Sequence, residues 1–290
     1  MLNIIVAPKA YDPHGERYTK KIVKYLKSIE AEYSVYFSET FDSISETVKE
    51  LLSFGESDFI VVGDDVVVSK FLNSIKDMNK IKLGIVPVKK QDDFALFLGL
   101  SNNPVQAIND IMTKHIETVD LLCVNNMPVL NNVLIGASVE ILSAYNQYKI
   151  KNIISEKIAA AKYGDNFGGV ELSLESKNTK TRKERVFEMV IANGGFSKGK
   201  PVSPLSNVKD GLFNVNYSVV SNKQGKKKYI KLFNKGEHIY DDETRQYWLD
   251  NLKITNPDKK IKAILDGTIH NFESLEIIVL EGALKLYKKK

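Results

Sequence analysis

The 290-residue chain is 43% hydrophobic and 27% charged, with 17 glycines and 8 prolines, a composition that excludes a disordered, collagenous or low-complexity protein. That length exceeds the roughly 100–200 residues of a single domain, so two domains are expected, and the lone Cys123 excludes a disulfide framework or a cysteine-based metal site. The net charge of +5 is concentrated in Lys226-Lys227-Lys228 and Lys288-Lys289-Lys290, clusters that read as solvated turns and tails and also suit an anionic membrane surface.

The N-terminal run Met1-Leu2-Asn3-Ile4-Ile5-Val6 lacks a basic leader and reads as a first strand, not a signal peptide. No apolar stretch approaches the ~20 residues of a membrane span, so the expected location is the cytosol. Apolar runs at 3–6, 33–37, 58–62 and 82–87 alternate with helical patterns, which predicts βαβ units on a parallel sheet. Within 18–30, Ile22, Leu26 and Ile29 recur at helical spacing, and Ser43-Ile44-Ser45-Glu46 reads as a capping box opening the next helix. Pro104 after Asn102-Asn103 starts a helix through Ile108, Ile111 and Met112. Cys123 lies in an apolar run and reads as a buried, inert thiol.

Beyond about Asp120 the period changes. Short alternating runs at 170–174, 186–192, 212–220, 229–233, 261–265 and 275–280 predict an antiparallel β domain with one helix near 153–163. With no repeat and no Pro- or Ser-rich linker, the two domains are expected to pack closely and to share a cleft as the default site. His14, His115, His238 and His270 show no metal-ligand spacing and read as surface or helix-terminal residues; Trp248 reads as a packing anchor. There is no G-x-S-x-G, no Walker A and no paired cysteine motif.

Four segments, in order, carry a resemblance. Phe59-Ile60-Val61-Val62 leads into Gly63-Asp64-Asp65-Val66-Val67, where one family has GGDGT. The run 83–100, with Val86-Pro87 and Asp92-Asp93-Phe94-Ala95 and closing on Leu98-Gly99-Leu100, follows that family's LGIIPLGTGNDFARALGL. Ala192-Asn193-Gly194-Gly195 and Lys209-Asp210-Gly211-Leu212 follow its second-domain motifs, and Asp266-Gly267-Thr268 stands where it carries DGE. The chain thus resembles the diacylglycerol kinase and sphingoid lipid kinase superfamily, and the Asp-Phe-Ala run separates it from NAD kinases, which share only GGDGT.

The resemblance implies a fold of α/β plus β class: a Rossmann-like, three-layer nucleotide-binding domain over 1–120, completed by 275–290, and an antiparallel β-sandwich over 121–274. It implies ATP and Mg²⁺ as cofactors, phosphorylation of a lipid hydroxyl, and a lipid or membrane surface as partner, at the inner membrane face; no nucleic acid is expected. Carried over residue by residue, Gly63, Asp64, Asp65, Lys89, Lys90 and Asp93 fall on the nucleotide loops. Asp266 falls on the base that takes the lipid hydroxyl's proton, and Asn207, Asp210 and Leu212 on a Mg²⁺ loop.

The departures bear on this chemistry. Phosphoryl transfer needs a triphosphate held by backbone N–H groups and a metal, and glycines let the backbone approach it closely. Here Asp64, Val66 and Val67 replace two glycines and a threonine, and a β-branched residue cannot cheaply keep a glycine-only shape. Asp64 also adds an anion where a polyanion would lie. Lys89-Lys90-Gln91-Asp92 replace Gly-Thr-Gly-Asn; the two lysines read either as phosphate-neutralising or as solvated side chains, while Asp93 can orient a sugar or a water-bridged metal. Asp266 reads either as the base or as half of an Asp-Gly turn, and Thr268 lacks the charge of the family glutamate. The 207–212 loop reads either as a cation site or as a plain turn. Two functions stay open: a lipid kinase with a remodelled phosphate site, and a non-catalytic lipid kinase-like binding protein.

Overall fold

The computed structural model describes residues 1–9, 11–88, 92–150, 152–164, 166–177, 179–257 and 259–289. The chain divides into two compact units, Met1–Leu121 with Leu280–Lys290, and Leu122–Val279.

The first unit runs β1 (Leu2–Val6), α1 (His14–Ser28), β2 (Tyr33–Phe37), α2 (Phe41–Ser53), β3 (Asp58–Val62), α3 (Asp65–Leu72), β4 (Lys82–Val86), α4 (Asp93–Phe97) and α5 (Pro104–Met112), and the chain leaves it along β5 (Ile116–Val124). The strands are parallel in the order β2-β1-β3-β4, with Ile4 opposite both Val35 and Ile60, and Ile60 opposite Gly84. Buried on both faces, they read as continuous apolar runs and not as alternating ones. The chain steps one way from β1 to β2 and the other way from β2 to β4. Right-handed crossovers therefore place α1 on one face and α2 with α3 on the other, and α5 packs beside α1. Ile22 and Leu26 of α1 and Ile108 and Ile111 of α5 close one core with Ile4, Ile60 and Val86.

The second unit continues with β6 (Met127–Val129), β7 (Asn132–Gly136), α6 (Ala137–Gln147), α7 (Ile153–Ala159), β8 (Val170–Ser176), β9 (Thr179–Val186), β10 (Glu188–Ala192), β11 (Phe196–Ser197), β12 (Lys200–Pro201) and β13 (Phe213–Ser218). Then come α8 (Lys223–Phe233), β14 (Thr244–Leu249), β15 (Asn251–Thr255), β16 (Ile261–Leu265), β17 (Thr268–Phe272) and β18 (Ser274–Tyr287). An antiparallel sheet β14-β13-β10-β7-β16-β17 faces a second layer in which the start of β18 pairs β15, followed by β8 and β9. Val133, Met189 and Val215 from the first sheet and Leu172, Leu252 and Leu275 from the second meet in one buried cluster, so the unit is a β-sandwich. On the other face of the six-stranded sheet, Leu134, Val190 and Ile264 pack with Val139 of α6, and Phe187 packs with Tyr229 of α8. The far end of β18 joins the first unit's sheet, parallel to β4, with Leu286 opposite Leu83.

Several local expectations change. The capping box of α2 is Thr40 with Ser43, one turn before the predicted one: Thr40 is extended, its hydroxyl accepts from the Ser43 amide at 3.2 Å, and the Ser43 hydroxyl accepts from the Thr40 amide at 3.1 Å. The run 229–233 is not a strand but the end of α8, because Lys226, Tyr229, Ile230 and Phe233 share one face at helical spacing and Asn222 caps the helix. Lys226 is correspondingly no solvated turn residue: it is buried, and its ammonium donates to the Phe167 carbonyl at 2.7 Å. Helix α6 was unforeseen. His238 is fully buried, not on the surface, while Trp248 is 47% exposed and anchors little. Cys123 is half-buried, and burial raises its thiol pKa, which keeps it protonated. Among the described residues no helix is long and apolar enough to cross a membrane.

Candidate functional site

Open parallel sheets bind ligands at the carboxyl ends of their strands, so the loops after β1, β3 and β4 form the first place to look. After β3, the Gly63 amide donates to the Val86 carbonyl at 3.2 Å. Glycine is required there for space: a Cβ on Gly63 would lie 2.6 Å from that of Val67. The chain then enters α3 through an ordinary N-cap. Asp64 is extended, its carboxylate accepts from the Val67 amide at 3.3 Å, and no residue from 63 to 67 has positive φ. The replacement of glycine and threonine by Val66 and Val67 has thus exchanged a glycine-only loop for a capped helix start.

The same carboxylate accepts from the Tyr11 hydroxyl at 2.9 Å. Burial and then the charges of Asp64, Asp12 and Asp92 push the Tyr11 hydroxyl far up, so it remains a donor throughout the physiological range. Asp12 is buried, with one oxygen on the His14 amide at 2.8 Å. Across the next loop, Asp92 is buried and accepts from the Val88 amide at 2.8 Å, and Asp65 accepts from the Phe94 amide at 3.0 Å. Asp93, at the first turn of α4, is half-buried. Lys89 and Lys90 lie outside the described residues. Sequence reasoning singled out Gly63, Asp64, Asp65 and Asp93 but missed Tyr11, Asp12 and Asp92 as members of the group. The signal was available, because Tyr11 and Asp12 follow β1 at the same sheet edge.

Three amide donors of this edge are therefore engaged by the chain's own carboxylates. The Val67, Val88 and Phe94 amides point at Asp64, Asp92 and Asp65, as a glycine-rich loop would point its amides at phosphates. A phosphate about 4 Å from any one of these carboxylates meets roughly 4 kcal/mol of repulsion at an effective dielectric near 20.

The remaining predicted residues lie in the second unit. Asp266 and Gly267 are the two-residue turn between β16 and β17, both with positive φ (44° and 86°), the conformation that favours Asp-Gly in such hairpins. The Asp266 carboxylate is buried and accepts from three backbone amides, Leu130 and Asn131 at 2.8 Å and Asn132 at 3.2 Å. At least three of its about four lone-pair sites are therefore engaged. Asn193 joins this knot, donating through its side chain to the Leu130 carbonyl at 2.9 Å. In the 207–212 loop, the Asn207 side chain accepts from the Lys209 amide at 3.2 Å, and one oxygen of the exposed Asp210 carboxylate accepts from the Leu212 amide at 3.1 Å. Both are local turns closed by a side chain. Among the described residues no three His, Cys, Asp or Glu side chains gather as metal ligands.

A third carboxylate, Glu188, is buried at the start of β10, facing the N-terminus of α6. One oxygen accepts from the Ser138 amide at 2.8 Å and the other has no partner among the described residues; desolvation pushes its pKa up to about 8. Nearby, burial pushes His238 down to about 4.

Residues 1–124 match the family model of the diacylglycerol kinase catalytic domain. A diacylglycerol kinase from Bacillus subtilis is 23% identical over 280 residues, covering 89% of this chain and 88% of that protein. The crystal structure of a diacylglycerol kinase from Bacillus anthracis has the same fold, with a TM-score of 0.74 at 17% identity over 99% of this chain and 96% of that one. An NAD kinase from Archaeoglobus fulgidus, solved with ATP, is more distant, with a TM-score of 0.57 at 11% identity over 100% and 94% of the two chains. Residues 1–124 thus match a diacylglycerol kinase catalytic domain, and over most of its length the chain is similar to diacylglycerol kinases in sequence and in fold.

Proposed function

We propose that this chain is a lipid kinase-like binding protein, which recognises a lipid at the inner face of a membrane without holding ATP and Mg²⁺ in the pose that phosphoryl transfer requires. One observation carries the reading: the loop amides at Val67, Val88 and Phe94 are satisfied by the chain's own aspartates. Catalysis of this kind is almost wholly positioning and electrostatic stabilisation, so a cradle filled by internal carboxylates removes both. ATP would have to displace Asp64 from Val67 and Tyr11 and then face Asp92. The fit to the cofactors is poor at the other sites too. Asp210 offers a cation one exposed carboxylate with one oxygen already engaged, and Asp266 has little lone-pair capacity left to take a proton. No chemical step is therefore assigned to ATP or Mg²⁺ here.

The competing reading, a working kinase in which Lys89 and Lys90 neutralise the phosphates, draws on the family match. A thermal-shift titration with Mg-ATP separates the two, since a ligand at 100 times its dissociation constant adds about 2.7 kcal/mol. No shift is expected at millimolar ATP, together with no transfer of labelled phosphate to diacylglycerol in mixed micelles. The triple variant Asp64→Gly, Val66→Gly, Val67→Thr is expected to gain ATP affinity. Micromolar ATP binding by the unaltered protein would overturn the proposal.

A further inference from the structure

We propose that residues 219–243 form a cover that closes over Glu188 only while that carboxyl keeps its proton, so that the second unit carries a latch released by proton loss. The segment is an excursion between two neighbouring strands. β13 ends at Ser218 and β14 begins at Thr244; these residues face each other in the ladder, and just beyond them the Val219 amide donates to the Glu243 carbonyl at 3.1 Å. The sheet is thus closed at the base of the excursion, and α8 with the turn Glu237–Tyr240 can lift without breaking a strand pair. Side chains fasten it instead. Tyr229 meets Phe187 with ring centroids 5.8 Å apart, Lys226 donates to the Phe167 carbonyl, and Gln246 of β14 donates to the Ile239 carbonyl.

Under this cover the polar groups are mismatched. Glu188 and Tyr229 are only 2% and 3% exposed. One Glu188 oxygen accepts from the Ser138 amide, whereas its other oxygen and the Tyr229 hydroxyl have no hydrogen-bond partner among the described residues. Ser218, opposite Glu188 in the ladder, has its hydroxyl on the Val220 amide at 3.3 Å. No cation compensates the carboxylate. Lys226 lies over the Phe187 ring at 5.6 Å and is held by Phe167, while Lys228 is engaged by Asp241. The His238 ring, 5.6 Å from that of Tyr229, is neutral above about pH 4. An unpaired charge in such surroundings is costly, and water would relieve it. Desolvation accordingly pushes the Glu188 carboxyl up to about 8, and burial followed by the Glu188 charge pushes the Tyr229 hydroxyl up. Lifting the cover hydrates Glu188 and returns it to an ordinary acidity, so opening and proton release are linked.

Hydrogen–deuterium exchange of the full chain tests this, read from about pH 5.5 to about 9 under conditions where closing outruns chemical exchange, and corrected for the chemical rate at each pH. His238 stays neutral over that range. The opening constant of the α8 amides should rise about tenfold per pH unit and level off above about 8. Amides of β10 and β13 should stay better protected than those of α8 at every pH, which separates a local release from unfolding of the whole unit. Glu188→Gln cannot ionise and should abolish the rise. Tyr229→Phe removes only the unpartnered hydroxyl and should keep it. A flat profile in the unaltered chain overturns the proposal without recourse to any variant. So does a rise that persists in Glu188→Gln, or exchange of α8 and β10 at one common rate.

Discussion

In the first unit Asp64 accepts from an amide three residues ahead, whereas in the second unit Asp266 accepts from three amides that lie 134–136 residues earlier in the chain. Both are buried acids, one at a helix N-cap and one in a two-residue turn. Their dependence on context differs. Asp64 makes a local cap that any helix start could use, and it also accepts from the Tyr11 hydroxyl. Asp266 ties the hairpin of β16 and β17 to the segment that leads into β7, and its own amide donates to the Asn132 carbonyl at 3.1 Å. The lesson is that an acid at a motif position can serve the fold: Asp266 fastens a sandwich, and Asp64 caps a helix.

The largest expected effect is at Asp266. Asp266→Ala leaves three buried amides without an acceptor, at about 1–3 kcal/mol each, and should destabilise the protein by roughly 3–9 kcal/mol in urea unfolding. A loss below about 1 kcal/mol would break the comparison and return Asp266 to the role of an available base.

Glu188 extends the comparison to a buried carboxylate that accepts from the Ser138 amide at the N-terminus of α6. Its folded pKa is raised from 4.5 to about 8, so the folded state keeps a proton that the unfolded chain releases. Its contribution is therefore fully present below pH 4.5 and is lost as pH rises through about 8, on the order of 5 kcal/mol across the window. His238 has the opposite sign: with its pKa lowered from 6.5 to about 4, its contribution is present above 6.5 and lost as pH falls through about 4. Melting curves against pH should fall on both sides, and Glu188→Gln should flatten the alkaline side alone. An unchanged alkaline limb in that variant would show that Glu188 is ionised and satisfied in the folded protein.

The smallest effect is at Asp64. Asp64→Ala removes one helix cap and should cost only about 1 kcal/mol, while uncovering the Val67 amide and raising whatever affinity the loop has for ATP. A cost near that of Asp266→Ala would mean that Asp64 anchors the fold through Tyr11, and the contrast between local and long-range carboxylates would fail.

Much of the architecture could be read from the chain. The apolar runs of the first third demanded a sheet buried on both faces, and the shift to alternation after Asp120 demanded half-buried strands, because a side-chain period is set by backbone geometry within a few residues. The Asn103-Pro104 start of α5 was legible for the same reason. The family motifs located Gly63, Asp64, Asp65 and Asp266. Context misled elsewhere: a lysine-rich run with Tyr229 and Phe233 resembles a turn and a strand until one sees that Lys226 is buried under Phe167. What tertiary structure alone decided is where the hydrogen bonds of those motif residues go. Whether Asp64 faces a phosphate or its own Val67, and whether Asp266 faces a substrate hydroxyl or Leu130, depends on which amides the fold brings within 3 Å. For Asp266 that pairing joins positions up to 136 apart, so no local pattern in the sequence encodes it, whereas the Asp64 cap spans three residues and competes with any ligand only in the folded loop.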